Sequence, residues 1–325
     1  MATSPGVNVS RVSADSTVEN SSGWGVVMGE AWPLVSIVTP TLNAAQYLDE
    51  TIQSVLTQDY PNLEYLVMDG GSTDGTLGVV KRYAGRLRLR VEPDGGTADA
   101  IGKGFAAARG SVLAFLHADD AYRPCAVSAA MCALAAHPDV AVVYGEGDWV
   151  DERGEVIARY PTRAFDREIL MRECCICQPA AFIRRSAFEA VGGLDPALHY
   201  AFDWDLWIRI AKSHEMVKIG ESLATSRLHA ASKSLAHPGA ALAEAFGVLR
   251  RHCGYVPLPW IYRRSRSLLG KRVDFSLYEE PSRLGYLAAL PLGLLHNARH
   301  PLRYAAEWAG ASSGRVRQLV GCAPR

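Results

Sequence analysis

The sequence predicts an α/β fold: a mostly parallel central sheet with helices on both faces. Three observations carry this expectation. Short β-rich apolar runs alternate with segments of helical spacing from Val35 to Tyr144, the pattern of strand–helix–strand units. Two of the runs end in polar turns, VSIVTPTLN at Val35–Asn43 and DGGSTDGT at Asp69–Thr76. A third apolar run, Val112–Leu116, leads into HADD at His117–Asp120, which places two adjacent carboxylates just past a strand. Open α/β sheets bind ligands beyond the carboxyl ends of their strands, so all three segments are expected to border one crevice. Carboxylates beside turns able to hold phosphate point to a divalent metal bridging to a diphosphate.

The elements follow in order. Val35–Thr39 is a strand, which Pro40 is expected to end because it supplies no ladder N–H. Ala44–Gln58 has helical spacing through Tyr47, Ile52, Val55 and Leu56. Leu63–Met68 is the second strand, Thr76–Tyr83 a helix closed by Gly85, and Leu87–Val91 a third strand. Thr97–Arg109 is a helix ended by Gly110, and Val112–Leu116 is the strand before HADD. A helix over Pro124–His137 and a strand over Val140–Tyr144 follow, with Pro placed at the helix start. The segment Gln178–Ala211 ends in a further helix. LGYLAALPLGLL at Leu284–Leu295 is too short to span a membrane and carries Pro291; it either packs on the main domain or lies in an interface. Residues 1–32 show no sustained periodicity and no apolar signal core, and are expected to form a flexible tail. The expected division is therefore 1–32 tail, 33–235 sheet domain in halves 33–150 and 151–235, and 236–325 a basic, mainly helical extension.

Composition narrows the class. The 325 residues carry equal numbers of acidic and basic side chains, which excludes a nucleic-acid binder dominated by phosphate attraction. Charge is unevenly placed: residues 255–325 hold 11 Lys and Arg against 4 Asp and Glu. Such a segment either is a solvated basic face or docks on an anionic surface, membranes included. The odd count of 7 cysteines suits reduced thiols and a cytoplasmic setting. Cys174-Cys175-Ile176-Cys177 lacks the two-residue spacer of zinc sites, and buried free thiols are expected there.

Candidate functional residues sit on the turns. Thr41 and Asn43 leave polar groups above the first strand, and Asp69 opens a turn rich in glycine. Asp74 has a capping role available at the next helix. In EPDGGTADAIGKG, Asp94 precedes two glycines and forms a turn or meets a ligand. Asp99 and Lys103, four apart on a helix, either pair or free Lys103 for a phosphate. Asp119 and Asp120 repel each other, and a divalent cation relieves that cost; a helix cap would need one of them at most. In FDWDLWIRIA, Asp203 shares a stripe with Leu206, Trp207 and Ile210, whereas Asp205 faces Arg209 as a surface ion pair. Asp203 then points inward from the first turn, to cap the helix or to act as a general base. His229 follows Arg227, where it ligates the metal, touches a phosphate, or is structural.

Val35–Ser234 resembles the nucleotide-sugar-dependent glycosyltransferases of family 2, of GT-A fold. The resemblance rests together on PTLN, LEYLVMDGGSTDGT, EPDGGTADAIGKG, FLHADD, QPAAFIRRSAF, GGLDPAL, FDWDLWIRIA and RLHAASKS. It implies an inverting transfer of a sugar from a nucleotide-sugar (UDP-, GDP- or dTDP-linked) to an acceptor hydroxyl, saccharide or lipid-linked, in surface polysaccharide or glycolipid synthesis. The nucleotide-binding half would then be 33–150 and the acceptor half 151–235. By resemblance the nucleotide base and ribose fall to Pro40, Thr41, Asn43 and Asp69, the metal (Mg²⁺ or Mn²⁺) to Asp119 and the general base to Asp203. Asp94, Lys103, His117 and Asp119 join the candidate donor contacts, and Asp120 and His229 the candidate metal ligands, on the reading of the residues themselves. The setting implied is cytoplasmic, with peripheral membrane contact through the basic C-terminal segment.

Three positions depart from the family pattern. His117 replaces the first Asp of a D-x-D motif, Phe202 stands where Glu often precedes the base, and Gly102 stands where DAxNKG carries Asn. Two rival readings are a non-catalytic nucleotide-sugar-binding scaffold, which His117 and Phe202 favour, and a sugar nucleotidyltransferase. The latter wants a basic glycine-rich loop near the N-terminus, and PTLN is not one.

Overall fold

The computed structural model describes residues 32–270 and 282–312. The expected tail therefore lies, Trp32 apart, outside the described residues, as do 271–281 and 313–325 of the extension.

The first half alternates strand and helix: β1 (Val35–Thr41), α1 (Leu48–Leu56), β2 (Leu63–Asp69), α2 (Thr76–Lys81), β3 (Arg88–Val91), α3 (Thr97–Ala107) and β4 (Val112–Phe115). Then come β5 (Ala121–Tyr122), α4 (Ala126–Ala136), β6 (Val140–Val150) and β7 (Val156–Arg159). The second half holds α5 (Arg167–Leu170), β8 (Ala181–Arg184), α6 (Arg185–Ala190), α7 (Phe202–Ala211) and β9 (Glu215–Arg227). The C-terminal helices are α8 (Lys233–Ala236), α9 (Pro238–Cys253), α10 (Leu258–Leu268), α11 (Arg283–His296) and α12 (Pro301–Ser312).

All strands join one sheet in the order β3-β2-β1-β4-β8-β6-β9-β5, with β7 on β6. β3, β2, β1 and β4 are parallel neighbours, as are β6 and β9. β8 is inserted antiparallel between β4 and β6, and the short β5 and β7 are antiparallel edges. The fold is thus α/β with a mostly parallel sheet and a helical C-terminal region.

The two-residue period of β1 sorts its side chains between two cores. Val35 and Ile37 face Leu48, Ile52 and Val55 of α1 and Val127 of α4. Val38 faces the opposite core, with Phe105, Phe115, Trp204 and Trp207. Helix α9 packs into that same core through Leu242, Phe246 and Leu249, and α10 through Trp260, whose ring stacks on Trp204 at 4.9 Å.

Three local expectations need correction. Pro40 does not end β1: the strand runs to Thr41, with Pro40 opposite Met68. Val38 O accepts Leu116 N–H and Thr41 O accepts Gly70 N–H, so Pro40 faces the β4 side, where pairing stops at Val38. No ladder N–H is needed there. Helix α1 starts at Leu48, not Ala44. The N–H groups of Asn43, Ala44 and Ala45 bond instead to Ser72 Oγ (2.8 Å), Thr76 Oγ1 (2.8 Å) and Asp74 Oδ2 (3.3 Å), which ties the first two turns together. β6 continues past Tyr144 to Val150 because β9 pairs with it all the way to Arg227.

Candidate active site

The turns after β1 and β2 are tied together, the HADD segment after β4 meets the end of β9, and Phe202 at the N-terminus of α7 lies beside His117; these segments frame the candidate crevice. Thr41, the last residue of β1, is buried, and its hydroxyl has no hydrogen-bond partner. Buried polar atoms are ordinarily paired, so this one is open to a ligand. Asn43 takes a left-handed backbone (φ 51°), tolerable for Asn. Its side-chain Oδ1 accepts the Thr73 N–H at 2.9 Å. Asp69 is buried, and its carboxylate accepts the N–H groups of Gly71 (3.0 Å) and Ser72 (2.8 Å) and the Ser72 hydroxyl (2.6 Å). It shapes the turn that borders the crevice.

The next loop is drawn in by glycines. A Cβ on Gly70 would lie 2.5 Å from Asp94 Oδ2, and one on Gly96 (φ +127°) 2.7 Å from His199 Nδ1. Asp94 meanwhile accepts Gly96 N–H at 2.8 Å. Lys103 is held by Asp99 at 2.9 Å and by the Pro93 carbonyl at 2.8 Å, so its pairing option is the one taken.

The two acids of HADD part company. Asp120 is buried, and its Oδ1 accepts the backbone N–H of Arg227 at 2.9 Å. Burial, then the charge of Asp119, pushes its pKa well above the usual carboxylate range. Asp119 Oδ2 lies 3.0 Å from His229 Nε2. Burial acts to raise the Asp119 pKa, but the His229 hydrogen bond and the imidazoles of His117 and His229 outweigh it and hold it low. Arg227 fixes this arrangement from below. Its guanidinium donates to the Asp119 carbonyl (3.1 Å), the Asp151 carbonyl (3.0 Å) and Glu50 Oε2 (2.6 Å), and lies 4.7 Å from the Tyr47 ring centroid. Of the three residues expected to hold a metal, Asp119 and His229 meet each other, while Asp120 is buried against the Arg227 N–H. Among the described residues no three His, Cys, Asp or Glu side chains form a metal-holding group. Mg²⁺ on substrate phosphates is ordinarily held by one or two carboxylates, and the Asp119 carboxylate fits such an ion.

Asp203 stands in the first turn of α7, half-buried, its Oδ1 accepting the N–H of Trp204 at 2.8 Å. Burial pushes its pKa up to about 6, against the hydrogen bond from Trp204. Cys174 lies near enough that, after burial, the Asp203 charge raises the thiol further, while Cys175 and Cys177 are buried in the cores.

Asp205 is not the surface ion pair expected. It is fully buried and bonds Arg209 Nε at 2.7 Å, His252 Nε2 at 2.8 Å and Arg251 Nη1 at 3.3 Å. Both basic partners of α9 lie more than forty residues away, beyond the reach of helical spacing. A further clamp escaped the sequence altogether: Glu244 of α9 accepts the N–H groups of His199 (2.8 Å) and Ala201 (2.6 Å), just before α7. Lys233 was also missed; it donates to Thr97 Oγ1 at 3.1 Å and lies 5.4 Å from the Tyr200 ring centroid.

The departures at His117 and Phe202 are neighbours. Their ring centroids are 6.2 Å apart, and Phe115 completes a triangle with them, 5.9 Å from His117 and 6.1 Å from Phe202. Burial in this aromatic setting lowers the His117 pKa. Two cavities, of about 580 and 600 Å³, lie away from this crevice: one around Arg184 and Arg185, the other between His252 and Arg303.

The sequence matches a family model described as glycosyl transferase family 2 over residues 36–192. A PGL/p-HBAD biosynthesis glycosyltransferase of Mycobacterium bovis is 32% identical over 196 residues, 58% of this chain and 73% of that protein. An uncharacterized glycosyltransferase of Rickettsia prowazekii is 29% identical over 213 residues, 61% of this chain and 65% of its own length, so the chain spans just under two thirds of that relative. Among solved structures, a mannosyltransferase from Pyrobaculum calidifontis, in complex with GDP-Man and Mn²⁺, superposes with a TM-score of 0.55 at 21% identity. That likeness covers 90% of this chain and 84% of the other, and speaks for a shared fold.

Proposed function

The chain belongs to glycosyl transferase family 2, and from that premise we propose that it moves a sugar from a nucleotide-sugar to an acceptor hydroxyl with inversion. The observation that supports this most is Asp203, a carboxylate with a pKa near 6 on a helix N-terminus that faces the strand ends. A base poised close to neutral pH suits proton removal from an alcohol. In the reaction, the acceptor oxygen bonds to the anomeric carbon as the bond from that carbon to the diphosphate oxygen breaks on the opposite face. The hydroxyl proton passes to Asp203, and the nucleoside diphosphate leaves. The turns at Thr41–Asn43 and Asp69–Ser72 border the nucleotide, and Thr41 offers it an unpaired hydroxyl. Asp119, with His229 beside it, would hold Mg²⁺ or Mn²⁺, which neutralises charge on the leaving diphosphate. His117 and Phe202 line the same crevice with an aromatic surface.

The acceptor proposed is a saccharide or a lipid-linked saccharide, in keeping with the mycobacterial relative named for PGL/p-HBAD biosynthesis. Peripheral contact of the basic C-terminal region with a membrane goes with such an acceptor. Among the described residues no helix is long and apolar enough to cross one.

The test is release of nucleoside diphosphate from a panel of UDP-, GDP- and dTDP-sugars, with and without Mn²⁺, alongside thermal shifts for the same ligands. A donor at a hundred times its Kd should add about 2.7 kcal/mol of stability. Metal-dependent release from one nucleotide class supports the transferase reading. Stabilisation without release, by wild type and Asp203→Asn alike, would instead make the protein a nucleotide-sugar-binding scaffold.

A further inference from the structure

Helix α11 is apolar on both of its sides, where an ordinary surface helix turns only one apolar face to the core. Tyr286, Leu290, Leu292 and Leu294 pack half-buried against the core around a buried stripe of Gly285, Ala289 and Gly293, and the ring of Tyr304 fills the space that a side chain at Gly293 would need. The outer stripe carries Leu284, Leu287, Pro291 and Leu295, at offsets of three, four and four that keep them on one face. Those leucines are 69%, 59% and 74% exposed. Leu302 at the start of α12 is 85% exposed, and Leu268 ends α10, beside the N-terminus of α11, at 61%. Nothing among the described residues covers this stripe.

Charge selects the occupant. Arg283 opens α11, Arg299 and Arg303 follow its end, and no acidic side chain lies between them. The described part of 255–312 holds six arginines against Glu307 alone; Arg263, Arg266 and Arg303 lie over the rings of Trp260, Tyr262 and Tyr255, while Arg283 and Arg299, at the two ends of α11, are exposed. A second copy docked face to face would set these arginines against one another. An anionic bilayer offers acyl chains to the leucines and phosphates to the arginines.

We propose that the outer stripe of α11, with Leu302 and the end of α10, docks parallel to the surface of an anionic lipid bilayer. The leucines enter the boundary between headgroups and acyl chains, and the arginines stay at headgroup level. The stripe names the face behind the peripheral contact proposed above, and it stands whatever reaction the crevice performs.

Flotation of the full chain with phosphatidylcholine vesicles, with or without phosphatidylglycerol, tests this. Wild type should float with the anionic vesicles at low salt and release at high salt. A variant combining Leu284→Ser, Leu287→Ser, Leu295→Ser and Leu302→Ser should bind them roughly tenfold more weakly or worse. Its melting temperature and its nucleotide release from soluble donor should match wild type, since all four side chains already lie in solvent. Arg283→Glu with Arg299→Glu should remove the preference for phosphatidylglycerol. Absence of vesicle binding by wild type overturns the proposal, as does undiminished binding by the leucine variant. Sedimentation showing a wild-type dimer that the leucine variant dissolves, without vesicle binding, would assign the stripe to a second copy. Each failure leaves the transferase reading standing, because nucleotide release is read separately.

Discussion

Asp69, Asp119, Asp120 and Asp203 all stand at or just beyond the ends of strands or at a helix start, yet each carboxylate has a different set of partners. Asp69 is bonded three times by its own turn and Asp120 by the Arg227 N–H, whereas Asp119 meets the side chain of His229 and Asp203 the N–H of Trp204. Asp203→Asn should therefore cut turnover by about 10²–10⁴ while donor-induced thermal shifts persist; retention of more than a tenth of the rate would move the base elsewhere. The wild-type rate should fall below pH 6 as Asp203 takes up a proton. Stability has the opposite sign. The folded pKa, about 6, exceeds the ordinary value of 3.8, so the charged carboxylate destabilises the fold increasingly from pH 4 to 6 and fully above. At pH 7 the Asn variant should melt higher, by the equivalent of about 1–3 kcal/mol. Asp119→Ala should lower stability without Mn²⁺ modestly, because the bond to His229 that holds its pKa low is lost, and abolish the metal-dependent part of the donor thermal shift. HADD made the pair of acids legible, but not which one faces the ligand: that depends on Arg227, more than a hundred residues later. The Asp205 error has the same cause, since Arg209 was visible at helical spacing and His252 was not.

At the scale of elements, α7, which carries the proposed base, is gripped at two points by α9. Glu244 accepts N–H groups at its entrance, and His252 and Arg251 bind Asp205 within it. A carboxylate on N–H groups just ahead of a helix satisfies donors that would otherwise be orphaned and opposes the positive end of the dipole. Its charge also raises the pKa of Asp203. Glu244→Gln should consequently move the acid limb of the rate profile below pH 6 and lower kcat roughly tenfold through looser placement of the base, with donor KM little changed. A role confined to packing would lower stability and leave the limb where it is. Strand–helix alternation was readable because β1, α3 and β4 follow their local periods. The insertion of β8 antiparallel to β4 was not, since period two reports which face is buried and never the direction of the partner. The bonds that delay α1 to Leu48 likewise come from a turn some thirty residues on.

For the whole molecule, the issue is whether the C-terminal helices form a separate body or complete the core. Sequence composition marked 236–325 as distinct by its basic charge, but charge patterns report surfaces, and what joins these helices to the sheet domain is buried. Phe246, Leu249, Val256 and Ile261 lie in one core with Trp204, Trp207 and Phe115. Trp260 stacks on Trp204 and donates its ring N–H to the Arg172 carbonyl at 2.7 Å. Removing that ring leaves a cavity against α7, and Trp260→Ala should cost about 3–5 kcal/mol. Because the core is shared, the loss should appear as a single unfolding transition shifted to lower temperature, with calorimetric and van't Hoff enthalpies in agreement. Two resolved transitions, of which Trp260→Ala moves only one, would show that the extension folds by itself and that α9 grips α7 across a domain boundary. A chain ending at Ala236 separates the alternatives again. With a shared core it exposes Trp204, Trp207 and the carboxylate of Asp205 together, and should aggregate or populate a loosely packed state; an independent sheet domain would stay soluble and keep its donor-induced thermal shift.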